Sequence, residues 1–245
     1  MEGLQSWWET IQADFYKNFI EDDRWKYLVE GLGNTLKLTF FAVLIGIAIG
    51  VVVAMIRSTH DKHIKEMHSG FSKFILKFLN VIANIYLAVI RGTPVMVQLL
   101  IMNFVILIAV DSKILIGTIA FGINSGAYVA EIIRSGIMGV DNGQFEAGRS
   151  LGFNYMQTMR YVVIPQAFKN VLPALANEFI VLLKETSVSG YIALIDLTRA
   201  GDIIRGITYS AYMPLFAVAL IYLVMVMFFT FLVNKLERRL RNSER

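Results

Sequence analysis

Residues 146–165 read EAGRSLGFNYMQTMRYVVIP, a polar stretch that lies between long apolar runs. Asp141 and Asn154 are each followed three residues later by glutamine, which is a start signal for a helix. Gly152 is suited to end the first of these helices in a left-handed conformation, and Pro165 marks the junction with the next apolar helix. Two short helices in such a place are typical of a docking element for another protein, but a loop packed on its own chain fits the same residues.

The composition indicates a membrane protein. Of 245 residues, 56% are hydrophobic and 17% are charged, which excludes a disordered chain and argues against a soluble globular domain. The absence of cysteine excludes disulfides and cysteine-based metal sites or nucleophiles. His60 and His63 lie three apart without a third ligand, so no metal site is predicted. The acidic, aromatic N-terminus argues against a cleaved signal peptide.

Five apolar stretches are long enough to cross a bilayer whose hydrocarbon core is about 30 Å thick. They are residues 32–56, 94–110, 114–133, 170–183 with flanks, and 214–233. Residues 1–30 hold seven acids against three bases, whereas the loops at 57–77 and 134–169 and the tail from 235 are basic. This alternation places the N-terminus outside and the C-terminus in the cytoplasm.

Residues 71–91 are nearly apolar enough to be a sixth span. Their polar residues recur at helical spacing and form one narrow seam of Lys73, Lys77, Asn80, Asn84 and Arg91. If this segment crossed, the basic loop 134–169 would lie outside, against the charge rule. We therefore interpret it as an amphipathic helix on the inner face, or one packed against its neighbours. Thr93 is the expected N-cap and Pro94 the first residue of the second span.

The segments outside the spans divide the chain. Residues 1–30 carry an aromatic helical stripe that includes Trp7 and Trp8, which predicts an extracytoplasmic helix at the membrane interface. Residues 31–236 form the transmembrane domain, with the polar loop at about 137–165. Residues 237–245 are a basic cytoplasmic tail. The stretch 190–213 is too polar to cross and is expected to form a short helix or re-entrant segment on the outer side.

Two polar stripes fall within the predicted spans. Glu178 and Glu185 lie seven apart on one face of the fourth span, and Asn124, Tyr128 and Glu131 share a face of the third. Charged residues inside a membrane rarely face lipid, so these stripes are candidates for lining a substrate path. The alternative is structural pairing, for example of Glu131 with Arg134 three residues on.

The polar loop resembles the Glu-Ala-Ala coupling loop of bacterial ATP-binding-cassette importer permeases. The family pattern is E-A-A, three residues, Gly, nine residues, an aliphatic, one residue, Leu and Pro. This chain matches at Glu146, Ala147, Gly152, Val162 and Pro165, and departs at Gly148 and Ile164. Leu151 belongs to the same loop. Further segments, R-G-T-P-V-M-V-Q at 91–98, N-S-G-A-Y-V-A-E-I at 124–132, P-Q-A at 165–167 and N-E-F-I-V-L-L-K-E-T-S at 177–187, are similar to permeases for polar amino acids of the histidine, glutamate, glutamine, arginine and opine group.

The resemblance covers about residue 31 to the C-terminus and implies an all-α, five-helix bundle of the type I importer permease kind in the bacterial cytoplasmic membrane. It implies a transport subunit rather than an enzyme. The expected partners are a second permease copy or paralogue, two cytoplasmic ATPase subunits, an extracytoplasmic amino-acid-binding protein and membrane lipids, with no nucleic acid. Acidic residues that match Glu178 and Glu185 contribute to the substrate site in family members that have one.

The chain contains no G-x-x-x-x-G-K-[ST] motif, so no phosphate-binding loop of that type is present. No cofactor is therefore expected on this chain, and ATP and magnesium are expected on the partner ATPase. An ion-coupled secondary amino-acid transporter is the alternative, although the inverted repeats or paired broken helices of that class are not visible. A membrane anchor or sensor would not need the polar stripes.

Overall fold

The computed structural model describes residues 2–64, 67–68 and 70–242, and these ranges are helical with no strand. The α-helices, in chain order, are α1 Glu2–Phe15, α2 Trp25–His63, α3 Phe71–Gly92, α4 Val95–Ile101, α5 Lys113–Met138, α6 Asn142–Ser150, α7 Tyr155–Thr158, α8 Ile164–Glu185, α9 Leu197–Thr208 and α10 Met213–Asn242. Short π-helical turns occur at Tyr16–Ile20, Met102–Ile106 and Met159–Val163, and 3₁₀ turns at Glu21–Asp23 and Thr186–Ile192.

Helices α2 and α5 run parallel and form the centre of the bundle. Leu38 contacts Gly117, Gly46 lies against Ser125, and Gly50 lies against Val129, with the same sequence separation in every pair. A β-carbon on Gly46 would lie 3.0 Å from the Ser125 side chain, so only glycine permits this approach without a shift. This contact is called the α2–α5 seam, and it fixes the register of the two helices.

The bundle has two ends. The loop end carries α6 and α7, where Lys62 at the end of α2 bonds to Asn142. The far end carries α9, where the Leu197 amide donates to the Thr35 hydroxyl of α2 over 3.1 Å. Both α2 and α5 therefore run from the far end to the loop end. Helix α8 runs back, because Ser125 of α5 contacts Glu178 of α8, and α10 then returns to the loop end.

Residues 71–106 must return the chain from the loop end to the far end, since α2 ends at the former and α5 begins at the latter. Leu76 of α3 lies near Thr59 of α2 at the loop end. At the other end of this segment, Asn103 accepts a 2.9 Å bond from Lys113 at the start of α5. Helices α3 and α4 together thus make one broken traverse.

The prediction that Thr93 is the N-cap of the helix after it is wrong. Thr93 terminates α3 in an extended conformation and its hydroxyl donates to the Val89 carbonyl oxygen, while Pro94 occupies the N-cap position and α4 begins at Val95. The residue before proline is driven away from the helical region, so the chain breaks here rather than continuing as one helix.

The predicted number of five spans is not confirmed by helix length and composition. Four helices in the described ranges qualify: Trp25–His63, Phe71–Gly92, Lys113–Met138 and Met213–Leu240. The segment 71–91, which we expected not to cross, is among them. Val95–Ile106 is a shorter apolar helix, and α8 has the length but carries too many polar residues. The alternative that 71–91 packs against its neighbours is observed, because Asn80, Ala83 and Leu87 are buried.

The segments before and after the central helices pack at the far end. Phe19 is buried with Leu28, Leu197 and Val218, whereas Trp7, Trp8 and Phe15 of α1 remain exposed. The short helix expected within 190–213 is present as α9. Asp196 caps it, with its carboxylate accepting bonds from the Thr198 and Arg199 amides. The interfacial role of α1 stays a prediction.

Candidate functional site

The predicted helix-turn-helix is present at the loop end as α6 and α7. Asp141 caps α6 by accepting from the Gly143 amide over 2.6 Å. Asn154 and Gln157 form a capping box for α7, with both bonds at 2.9 Å. Gly152 has φ +79° and ends the turn after α6, as the sequence indicated. The element is therefore rigid by local chemistry.

The inner face of this loop is packed on its own chain. Phe145 of α6 is buried with Val163 and with Ile137 of α5. Gly148 lies so close to Thr158 that a β-carbon would meet its hydroxyl oxygen at 2.7 Å. The glycine in place of the family's second alanine thus allows α6 and α7 to pack tightly.

The outer face of the loop is open. Glu146, Ala147 and Gly152 are exposed. Leu151 is 72% exposed and Met156 is 70% exposed. Two large apolar side chains held outward on a rigid element, beside a carboxylate, are typical of a surface that another protein covers. Pro165, also exposed, lies in the first turn of α8 as predicted.

A cavity of about 490 Å³ opens between α3, α5 and α8. Three of the five predicted path residues line it, namely Tyr128 and Glu131 of α5 and Glu178 of α8. Arg91, at the end of α3, lines the same cavity. The cavity is therefore assembled from helices that are far apart in sequence.

Glu178 is 8% exposed, and its carboxylate accepts a 2.9 Å bond from the buried Ser125 hydroxyl. This bond leaves most of the acceptor capacity of the carboxylate unused. A nearly buried carboxylate at a cavity wall is costly without a cationic partner, so it favours a ligand that supplies one.

Glu131 lies in a charged network that joins three helices. It pairs with Arg134 of α5 at 2.6 Å, with Arg57 of α2 at 3.3 Å and with Arg91 of α3 at 3.9 Å. The pairing with Arg134, our alternative interpretation, is thus observed. Arg134 also pairs with Asp61 at 3.5 Å, so three guanidinium groups share two carboxylates and this edge of the cavity keeps an excess positive charge.

The other two predicted path residues do not line this cavity. Asn124 is buried and donates a 2.9 Å bond to Gln98 of α4. Glu185 is half-buried in the last turn of α8, beyond the cavity. The role of these two residues in a substrate path stays a prediction.

Arg91 is the cavity residue that our sequence reasoning missed. We treated it as the last member of a polar seam on α3, with no role in the path. Its guanidinium lies 5.8 Å from the centre of the Tyr128 ring and is 45% exposed at the side chain. Two sequence signals point to it: Arg91 is the first residue of the segment 91–98 that resembles the permeases, and it lies beside the Thr93–Pro94 break.

Comparison with known proteins agrees with this architecture. Residues 46–242 match the family described as binding-protein-dependent transport system inner membrane component. The putative glutamine transport system permease protein GlnP of Rickettsia felis is 35% identical over 217 residues, which cover 87% of this chain and 93% of that protein. The arginine transport system permease protein ArtQ of Bacillus subtilis is 36% identical over 221 residues, covering 89% and 94% respectively.

A crystal structure of an amino acid ABC transporter with histidines has a TM-score of 0.77 and 44% identity to this chain, covering 90% of this chain and 98% of that one. The predicted all-α importer permease fold is thereby confirmed, and nothing in the matches favours the ion-coupled alternative. The chain belongs to the binding-protein-dependent transport system inner membrane component family, as the permease subunit of an ATP-binding-cassette importer whose ATPase is a separate subunit.

Proposed function

We propose that this permease subunit translocates polar amino acids through the cavity between α3, α5 and α8. The observation that carries the proposal is the placement of Arg91 and Glu178 on the walls of one cavity of about 490 Å³. An amino acid carries a carboxylate and an ammonium group, and these two side chains offer the complementary charges. The names of the relatives, which concern glutamine and arginine, support the same substrate class.

The charge arrangement defines a direction for the bound molecule. The α-carboxylate would face Arg91, which shares Glu131 with two other arginines. The α-ammonium, or a cationic side chain, would face Glu178, which accepts a hydrogen bond from the Ser125 hydroxyl. Tyr128 of α5 lines the same cavity beside Arg91 and supplies an aromatic wall. Asn124 and Glu185 then act outside the cavity, as a helix-packing contact and a path residue nearer the far end.

We propose that the outer face of the α6–α7 loop docks on the ATPase, which holds ATP and magnesium. Leu151 and Met156 would enter the apolar part of the contact, and Glu146 would lie at its polar rim. The exposure of these residues on a capped, glycine-terminated element supports this assignment. Closure of the ATPase would then displace the loop and change access to the cavity.

The proposed assembly has two permease chains, identical or paralogous, with two ATPases at the loop end and an extracytoplasmic binding protein at the far end. We propose five crossings of the membrane. Helices α3 and α4 together form the second crossing. The loop end, with the basic tail of α10, would lie in the cytoplasm of a bacterium and α1 outside. The direction of each traverse in the fold supports this topology.

Two carboxylates on α8 provide a matched test of the cavity. In the reconstituted complex, Glu178→Gln should weaken substrate-dependent uptake by at least tenfold, because a buried charge-assisted contact is worth about 1.5–3 kcal/mol. Glu185→Gln should change uptake much less, since that residue does not line the cavity. Arg91→Gln should resemble Glu178→Gln. Unchanged apparent affinity in both Glu178→Gln and Arg91→Gln, at normal complex yield, would exclude this cavity as the substrate site.

The docking loop is tested by co-purification with the ATPase. Gly152→Asp adds a side chain and a charge at φ +79° on the exposed turn, and should release the ATPase while the permease still elutes as a folded species. Deletion of 146–152 should do the same. Gly206→Asp is the matched control, because it adds the same side chain on α9 at the far end, where a β-carbon has nothing within 4 Å. A Gly152→Asp complex that retained its ATPase would contradict the assignment.

A further inference from the structure

The C-terminal end of α2 is attached to the α6–α7 loop by two side chains. Lys62 donates a 2.7 Å bond from Nζ to Oδ1 of Asn142, the first residue of α6, and lies 4.6 Å from the centre of the Phe145 ring. The next residue, His63, stacks on Tyr155 of α7 with ring centres 4.6 Å apart and planes 9° apart. Lys62 and His63 thus contact both helices of the loop. We call these contacts, of Lys62 with α6 and of His63 with α7, the clamp.

The clamp is independent of the covalent connection. The chain joins α5 to α6 through residues 139–141, and Gly139 is the C-cap of α5. At its other end the loop continues through Met159–Val163 into α8, and Phe145 packs against Ile137 of α5, so the loop is already attached to α5 and α8. The clamp adds an attachment to α2, which none of these contacts provides, so a push on the loop also acts on this helix.

Helix α2 is a suitable second anchor. It is 39 residues long, which corresponds to about 58 Å at roughly 1.5 Å per residue. Its glycines hold it against α5 along the α2–α5 seam, and Arg57 is joined to Glu131 near the clamp. The pair therefore behaves as one body, and a force applied at Lys62 and His63 acts on both helices.

We infer that Lys62 and His63 are positioning residues that fix the angle of the α6–α7 loop on the α2–α5 pair, so that ATPase closure moves these helices instead of rotating the loop. This inference rests on the proposed docking of the ATPase on that loop. It predicts that loss of the clamp uncouples ATP hydrolysis from transport while both partners stay bound.

The test compares ATP hydrolysed per substrate transported in the complete complex, reconstituted in liposomes with its ATPases and binding protein. Lys62→Ala and His63→Ala should raise this ratio about fivefold or more, the lower bound of a typical coupling effect. Lys62→Arg, which can keep the bond and the cation over Phe145, and His63→Phe, which keeps the stacked ring, should restore it. His60→Ala and the exposed Lys235→Ala are matched controls and should leave the ratio unchanged.

The outcomes separate the two proposals. A normal ratio in Lys62→Ala and His63→Ala overturns the clamp, whether or not Gly152→Asp releases the ATPase. Release of the ATPase by the clamp variants also overturns it, because the residues would then serve docking alone. If Gly152→Asp leaves the ATPase bound, the docking proposal is wrong, and the clamp inference, which rests on it, is wrong too. A raised ratio with the ATPase retained, restored by Lys62→Arg and His63→Phe, supports the clamp.

Discussion

Helix α5 has two faces that are built in opposite ways. On one face, glycine and serine lie against α2 with almost no space, and Gly50 of α2 fits over Val129. On the other face, Tyr128 and Glu131 border a cavity that also contains Glu178. One helix thus carries a close-packed contact and, one residue away in sequence, the wall of a polar space.

The difference suggests which parts of a permease stay fixed and which move. In the α2–α5 seam, glycines such as Gly46 and Gly50 lie directly against the side chains of α5, so sliding one helix along the other would bring atoms into collision. The cavity side is held by long side chains, such as those of Arg91 and Arg134, which can change rotamer without a collision. We expect motion during transport to occur between α5 and α8, with α2 and α5 moving together.

The largest effect is expected from filling the seam. A β-carbon on Gly50 would collide with Val129 and lie 2.9 Å from the Ala130 amide nitrogen. Gly50→Ala should therefore lower the free energy of unfolding by about 2 kcal/mol or more, as overpacking does. Thermal or detergent-induced unfolding of the purified permease measures this.

Gly33 provides the control, since a β-carbon there has nothing within 4 Å. Gly33→Ala, on the same helix, should be neutral or more stable by up to about 1 kcal/mol, because alanine favours the helix. Equal stability of the two variants would show that the seam is looser than this geometry requires.

A smaller effect is expected from the charged network at the cavity edge. Glu131→Gln removes the negative charge shared by Arg134, Arg57 and Arg91. These side chains are partly exposed, so the loss should be about 1 kcal/mol rather than the larger value of a buried pair. Asp202→Asn, which affects a surface pair with Arg205 on α9, should change stability by less than about 0.5 kcal/mol. Identical losses in both would mean that the network adds nothing.

The smallest expected effect is on the pH dependence of stability. It concerns Asp196, which caps α9 and lies against Gly31 of α2. Asp196 is fully buried, and burial raises the pKa of its carboxyl above the ordinary value of 3.8. The native state then binds this proton more readily than the unfolded state, so stability falls as pH rises from about 4 through the raised pKa.

Asp196→Asn keeps an oxygen that can cap α9 and removes the titrating group. Over that pH window the variant should lose less stability than the unaltered protein, as measured by unfolding at several pH values. Asp196→Ala separates capping from titration, since it should cost about 1 kcal/mol at every pH. Parallel pH curves for Asp196→Asn and the unaltered protein would disprove the effect.

The loop shows how far local sequence signals reach. Asp141, Asn154 and Gly152 act on backbone groups two or three residues away, and all three perform the expected capping or terminating role. The same reasoning was wrong at Thr93, because its hydroxyl donates to the Val89 carbonyl oxygen of α3 and accepts a bond from Gln98 instead of capping α4. Span counting was also incomplete, since Pro94 divides one traverse into two helices.

The sequence by itself determined the helical class, the membrane setting, the two capped helices of the loop and the resemblance to importer permeases, because apolar run length, capping chemistry and motif spacing are properties of neighbouring residues. The tertiary structure decided that Arg91, Glu131 and Glu178 share one cavity and that Lys62 and His63 grip the loop. Contacts between distant helices depend on their register and tilt, which glycine-permitted packing along the α2–α5 seam sets and which no local pattern encodes.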